Sequence, residues 1–170
     1  MRVLETKRLT LRHFCIDDAD FIIRLLNEAA FIKHIGDKGI RTALEAKQYL
    51  SSGPIDSYER FGYGLNMVEL KESGEPVGMC GLVIRENLDD ADIGYAFLEQ
   101  FWSQGYAVES AKAVMKHARE TLGLQRIVAI VTPGNHSSIR LLEKIGLTFE
   151  RMIRLTDDDE ELKFFVSDTQ

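Results

Sequence analysis

The chain has 170 residues, 45% of them hydrophobic, enough for one compact core and too few for a second full domain. Charged residues make up 28% and the formal net charge is −6, so no global basic footprint marks a nucleic-acid binder. An acidic balance suits a cationic substrate, but net charge mostly reports solubility. The two cysteines, Cys15 and Cys80, form no CxxC pair and no Cys/His cluster with metal-like spacing. They read as reduced, mostly buried thiols of a cytoplasmic protein that carries no metal. The opening MRVLETKRLTLR has the pattern of neither a signal peptide nor a membrane span.

Residues 3–12 alternate, with Val3, Thr6, Leu9, Thr10 and Leu11, and predict the first strand. Asp17 or Asp18 caps a helix whose apolar face is Phe21, Ile22, Leu25, Leu26 and Ala29. Residues 31–41, rich in Gly and Lys, read as loop. Thr42 and Glu45 have the spacing of a capping box, opening a helix that runs to about Leu50. Ser51-Ser52-Gly53-Pro54 stops or interrupts it. Three strands follow, at 63–70, 77–84 and 91–98, joined by short turns into an antiparallel meander. A long amphipathic helix begins at Gln104-Gly105-Tyr106-Ala107 and turns Val108, Ala111, Met115, Ala118 and Leu122 inward. Residues 125–131 are a β-branched run, as expected of a strand covered on both faces. A helix over 137–145 ends at Gly146. A strand at 148–155, an acidic turn at 157–161 and a strand at 162–166 close the chain. The order β-α-α-β-β-β-α-β-α-β-β predicts an α/β (α+β) single domain over residues 1–170, with a mixed, mostly antiparallel seven-stranded sheet and about four helices on its two faces.

The junction between residues 93–98 and the long helix is suited to phosphate. The first N–H groups of a helix have no internal partners, and the helix dipole favours an anion there. The turn matches no nucleotide fingerprint: it has one glycine, Gly105, sits mid-chain, and lacks a Gly-Lys-Ser/Thr ending.

The run FWSQGYAVESAKAVMKHA, followed by VTPGNHSSIRLLEKIGLTFE, resembles the GNAT acetyltransferases. With KRLTLRHFCIDDADFI at the start, the chain is most similar to the RimJ/RimL branch, which acetylates N-terminal amines of ribosomal proteins. The resemblance covers essentially the whole chain. It implies a GNAT fold and an acetyl-CoA cosubstrate whose pyrophosphate sits on the backbone amides of Gln104, Gly105, Tyr106 and Ala107. It also implies that the pantetheine arm runs along Phe97, Leu98 and Glu99, beside a bulge that splays this strand from 126–131. The family's usual Gln or Arg at position 102 is Trp102 here, which removes the expected side-chain contact but not the amide cradle.

Asn135-His136-Ser137-Ser138 matches the family's Asn-x-x-Ser. Ser137 reads as a helix cap. The resemblance implies that Asn135 contacts the pantetheine or orders a water, and that Ser138 donates a hydrogen bond to the departing thiolate. Many members use a tyrosine one turn further on, where this chain has Leu142. A serine is a poor Brønsted acid, so Ser138 acts by hydrogen bonding to developing charge. His136 reads as an exposed loop residue. The implied reaction is attack of a neutral amine on a thioester, with the Leu98 N–H as a candidate donor to the oxyanion. A lysine amine (pKa ~10.4) costs about 3.5 kcal/mol more to deprotonate than an α-amine (~7.8). Candidate bases are Asp92, Glu99 and the acidic turn Asp157, Asp158, Asp159, Glu160 and Glu161, the turn reading first as a solvated hairpin tip. The acceptor is expected to be a protein N-terminus. A small amine such as a polyamine or amino acid, and a non-catalytic CoA-binding domain, are the alternatives. Neither a membrane nor nucleic acid is expected as a partner, and the protein is expected to be a monomer or homodimer.

Overall fold

The computed structural model describes residues 1–167. Its centre is one sheet of eight strands in the order β1-β2-β3-β4-β5-β6-β8-β7. These are β1 (Arg2–Glu5), β2 (Leu9–His13), β3 (Leu65–Leu70), β4 (Pro76–Val83), β5 (Ala91–Phe97), β6 (Ile127–Val131), β7 (Leu147–Ile153) and β8 (Leu162–Ser167). The predicted meander is β3–β4–β5. The count is eight rather than seven because residues 3–12 fold back on themselves. The Thr6 N–H donates to Leu9 O at 2.9 Å and the Leu9 N–H to Thr6 Oγ1 at 3.0 Å, which closes a turn and makes a hairpin of one apparent strand.

Among the described residues six α-helices flank the sheet, where about four were expected: α1 (Ala19–Leu26), α2 (Ala29–His34), α3 (Ala43–Leu50), α4 (Asp56–Phe61), α5 (Tyr106–Glu120) and α6 (His136–Lys144). The short α2 begins in the stretch read as loop, and its buried residue Phe31 packs with α1 and α3. The capping box is present: the Glu45 N–H donates to Thr42 Oγ1 at 3.2 Å and the Thr42 N–H to Glu45 Oε1 at 3.0 Å. Pro54 does not end the helical path. It sits in a π-helical turn, Ser51–Ile55, that carries the chain from α3 into α4, which stops at Gly62 in the left-handed region (φ 82°). A wider turn accommodates a residue that has no N–H to donate.

Two apolar layers sandwich the sheet. Ala111, Val114, Met115 and Ala118 of α5 and Leu141 and Leu142 of α6 pack on one face, against Cys80, Leu82, Ile93 and Ile127. Ile22, Leu25 and Leu26 of α1 and Ala46 and Leu50 of α3 pack on the other, against Met67, Met79 and Leu98. Every neighbouring pair of strands is antiparallel except β5 and β6.

Candidate active site

The parallel pair β5 and β6 is joined only at Ala91↔Ile127 and Asp92↔Val128. Beyond Val128, β6 continues with β8, and β5 is left with β4 alone. A gap therefore opens in the middle of the sheet alongside residues 93–97. The expected bulge is absent: β5 stays in unbroken register with β4 from Asp92↔Val83 to Phe97↔Gly78, so the divergence lies wholly on the β6 side.

Along β5 the backbone alternates between its two neighbours. The Leu98 N–H donates to Val77 O at 3.0 Å. Leu98 and Ala96 thus address β4, while Tyr95 and Phe97 turn their N–H groups into the gap. This corrects the expectation of an oxyanion donor at Leu98, whose side chain is also buried beneath α1 and α3. Phe97, at the end of the strand, and Tyr95 are the residues whose N–H groups face the opening. The Phe97 carbonyl accepts the Trp102 indole N–H at 2.8 Å, so Trp102 pins the end of β5 to the following loop.

At the closed end of the gap lies Asp92, 2% exposed. Arg85 Nε donates to its carboxylate at 2.7 Å, and the Ile130 N–H is a further partner. Burial pushes the Asp92 carboxyl up to about 6, although both donors pull the other way. The other candidate bases lie elsewhere. Glu99 is exposed, and its N–H donates to Glu28 Oε1 at 2.8 Å. The acidic turn is exposed and held to Arg154, which donates to Asp159 O at 2.9 Å and pairs with Glu161 at 3.3 Å.

The turn into α5 has two left-handed residues, Ser103 (φ 63°) and Gly105 (φ 82°). Gly105 is the N-cap, and no side chain caps the helix, so the first-turn N–H groups at Tyr106 and Ala107 are available to an anion. Gln104 is exposed, its amide reaching Gln100 O at 3.4 Å. One acidic side chain, Glu109, sits in the first turn. It is neutralised by the β1–β2 turn: it accepts from the Thr6 hydroxyl, from the Arg8 N–H at 3.0 Å and from Arg8 Nε at 2.8 Å. Burial opposes its ionisation, but these bonds hold its carboxyl below the usual glutamate range. The Arg8 guanidinium lies 4.5 Å from the centre of the Tyr106 ring. Its Nη2 stands 3.2 Å from where a Cβ on Gly105 would be. A cation therefore adjoins the cradle from a strand turn about a hundred residues away. The sequence reading missed Thr6, Arg8 and Glu109, because only the tertiary fold brings them together.

On the β6 side, Asn135 caps α6, its Oδ1 accepting the Ser138 N–H at 3.3 Å. The helix starts at His136, so Asn135 takes the capping place expected of Ser137. The amide NH₂ of Asn135 takes no part in that cap. The Tyr95 hydroxyl reaches across from β5, donating to Ser138 O at 3.3 Å and lying beside the Ser138 hydroxyl. Burial raises the Tyr95 pKa, so it remains a neutral donor at physiological pH. In the sequence Tyr95 is one residue of the strand at 91–98, and nothing there makes its contact with α6 legible. Thr132 Oγ1, at the end of β6, is buried without a hydrogen-bond partner. The fold thus brings Phe97, Tyr95, Asn135 and Ser138 to the gap and sets Gly105–Ala107 at the adjoining helix end, while Leu98 and Glu99 have their N–H groups engaged elsewhere.

Residues 8–148 match the model of the acetyltransferase (GNAT) domain. The chain is 30% identical over 156 residues to the uncharacterised protein YkkB of Bacillus subtilis (strain 168), covering 89% of this chain and 88% of that one. It is 28% identical over 155 residues to an uncharacterised N-acetyltransferase, p20, of Bacillus licheniformis, covering 91% and 86%. The structure resembles the crystal structure of an acetyltransferase from Agrobacterium tumefaciens str. C58, with a TM-score of 0.82 and 27% identity over 98% of this chain and 94% of the other.

Proposed function

The chain belongs to the GNAT acetyltransferase family, and on that premise we propose that it is of RimJ/RimL type and acetylates the N-terminal α-amine of a protein. The mixed sheet flanked by helices is the GNAT fold, and the enzyme is an acetyl-CoA-dependent acyltransferase. Acetyl-CoA supplies a thioester carbonyl open to attack by a neutral amine.

In this reading, backbone N–H groups of Gln104, Gly105, Tyr106 and Ala107 hold the pyrophosphate, with no added Cβ at Gly105 to separate it from them. The pantetheine arm takes the gap, beside Phe97 and the amide of Asn135. The Phe97 N–H, aimed into the gap, donates to the carbonyl oxygen as negative charge builds there. Ser138, with Tyr95 behind it, donates to the leaving sulfur. Asp92 lies five residues, roughly 17 Å, up the strand from Phe97, so it accepts the proton of the attacking amine through a chain of waters in the gap. Leu98 and Glu99 shape the end of the strand indirectly, their carbonyls accepting the Phe101 and Trp102 N–H groups that fold the following turn.

The observation that carries the choice of acceptor is Asp92 at the head of the gap, with a carboxyl near 6. A base of that strength falls short of an α-amine of ~7.8 by about 1.8 pKa units, or about 2.4 kcal/mol. It falls short of a lysine or polyamine amine of ~10.4 by about 4.4 units, or about 6 kcal/mol. The weaker demand matches the weaker base. Among the described residues, no helix is long and apolar enough to cross a membrane. Both cysteines are free, Cys80 buried and Cys15 exposed rather than buried as expected, which suits the reducing cytoplasm.

Release of the CoA thiol from acetyl-CoA tests this against three acceptors: peptides with a free N-terminus, N-blocked peptides bearing lysine, and spermidine. The expected order of kcat/KM puts the free N-terminus at least about tenfold ahead, a 1.4 kcal/mol preference. A lead for spermidine or lysine would reassign the acceptor. Tight CoA binding with no thiol release from any acceptor would make this a non-catalytic CoA-binding domain.

A further inference from the structure

Side chains alternate along β5, and its two faces look onto different helices. Ile93, Tyr95 and Phe97 turn toward α5 and α6, while Ala96 and Leu98 turn toward α1 and α3. The alternation puts Asp92 and Gly94 on the α1–α3 side as well. Gly94 and Ala96 are only half-buried, so that side stays open alongside the gap. Gly105–Ala107, Asn135 and Ser138 all belong to the α5–α6 side. With the cofactor approaching from there, the amine reaches the thioester from the α1–α3 side.

Three donors gather on that side near Asp92. Arg85, in the β4–β5 turn, spends Nε on the Asp92 carboxylate at 2.7 Å, and its Nη1 and Nη2 make no hydrogen bond among the described residues. Lys38 lies in the α2–α3 loop, and Tyr49 lies on α3, packed on the same apolar layer as Ala96 and Leu98. Both are within electrostatic reach of Arg85. Loss of water lowers the Lys38 pKa and the Arg85 charge lowers it further; burial raises the Tyr49 pKa and the same charge opposes that. Neither the Lys38 ammonium nor the Tyr49 hydroxyl has a hydrogen-bond partner among the described residues. The loop's own acid is already taken: Asp37 accepts from Arg41 Nη2 at 2.9 and 2.8 Å. The Asn27 amide, at the end of α1, donates to Ile40 O at 2.7 Å and fastens the loop in place. On a chain of net charge −6 these residues make a local positive spot.

We propose that Lys38, Tyr49 and Arg85 bind a carboxylate of the acceptor, carried by an Asp or Glu side chain a few residues from its N-terminus. The assignment rests on the α-amine reading above and gives the acceptor a sequence preference. Asp92 stands roughly 17 Å up the strand from Phe97, and an extended peptide advances about 3.3 Å per residue. With the reach of its own side chain included, the acidic residue falls at about the third to fifth position of the acceptor. A free amino acid is too short to place its amine beside Phe97 and its carboxylate here, so the spacing selects a peptide. Contacts of a carboxylate with guanidinium and ammonium are charge-assisted and among the strong hydrogen bonds.

Thiol release from acetyl-CoA with short peptides bearing a free N-terminus tests it. One set moves a single Glu along the peptide from the second residue to the sixth, and control sets carry Gln or Lys in its place. The wild type should favour Glu over Gln by about tenfold or more in kcat/KM at the third to fifth residues, through KM, and should favour Lys least. Lys38→Ala combined with Tyr49→Phe, which breaks no internal hydrogen bond, should bring the Glu/Gln ratio close to one and leave the rate on the Gln peptides unchanged. Lys38→Glu should move the preference toward Lys. Melting curves confirm that the double variant folds, and Lys38→Ala alone carries the test if it does not. Equal rates on Glu and Gln peptides at every position, or variants that keep the wild-type ratio, would overturn the assignment and leave the α-amine reading standing. Acetylation of free glutamate ahead of every peptide, or turnover of spermidine alone, would overturn the peptide acceptor and this assignment with it.

Discussion

Replacing Asp92 with Asn keeps the shape of the side chain and removes its ability to accept a proton. With a carboxyl near 6, Asp92 is about nine-tenths ionised at pH 7, so the wild type has its base ready. Positioned general bases contribute roughly 10²–10⁴ in rate. Asp92→Asn should therefore lower kcat/KM by about a hundredfold or more at neutral pH. The pH profile makes the prediction sharper. Two groups must be deprotonated, the base and the amine, so the rate falls as pH drops. The slope of log(kcat/KM) against pH should be one between the amine pKa (~7.8 for an α-amine) and about 6, and two below about 6. In Asp92→Asn the second break should vanish, leaving a slope of one throughout. Arg85 loses its partner in the variant, but its side chain is 37% exposed and water can take over its charge, so the protein should still fold. The assay is initial-rate kinetics on a peptide acceptor from pH 5 to 9, with melting curves alongside. A variant within about threefold of the wild-type rate, or one that keeps the break near 6, would remove Asp92 from the chemistry.

Gly105→Val places a β-branched side chain at φ 82°, where L-residues pay about 1–2 kcal/mol, and its Cβ meets Arg8 Nη2 at 3.2 Å. Affinity for acetyl-CoA, read by calorimetry, should fall by about tenfold or more; an unchanged value would count against the cradle. Ser138→Ala leaves the Asn135 cap intact, because the cap uses the Ser138 N–H. It should lower kcat by about tenfold or more while the melting temperature stays put. An unaffected rate would leave Ser138 with no part in the chemistry.

What the sequence made legible was local. The Thr42–Glu45 box, the β3–β5 meander and the amphipathic face of α5 each depend on spacing within a few residues, and each is present. Boundaries failed where a single turn overrode a pattern. Thr6 folds an alternating run into a hairpin through its own hydroxyl, and Phe31 anchors a helix in a segment whose composition says loop. Pro54 reads as a stop only if the helix must keep its pitch, and here it does not. The site was half legible for the same reason. Gly105, Asn135 and Ser138 announce themselves by motif. The gap they adjoin, the orientation of the Phe97 N–H rather than that of Leu98, and the approach of Tyr95 to α6 depend on which strands pair and where pairing ends. No spacing along the chain encodes that.

The Thr6–Arg8–Glu109 junction closes a loop of 103 residues, from the β1–β2 turn to the fifth helix. Contacts so distant in sequence form late, after shorter loops have repaid their entropy. On the ribosome the first hairpin can pair with β3 once residues 65–70 have emerged, but its contact with Glu109 must wait for the start of α5. Closing this junction also finishes the cofactor's seat. Docking of the hairpin and binding of the cofactor become thermodynamically linked, each favouring the other. Amide exchange in residues 2–13 should therefore slow when acetyl-CoA binds, even though most of that hairpin never touches it.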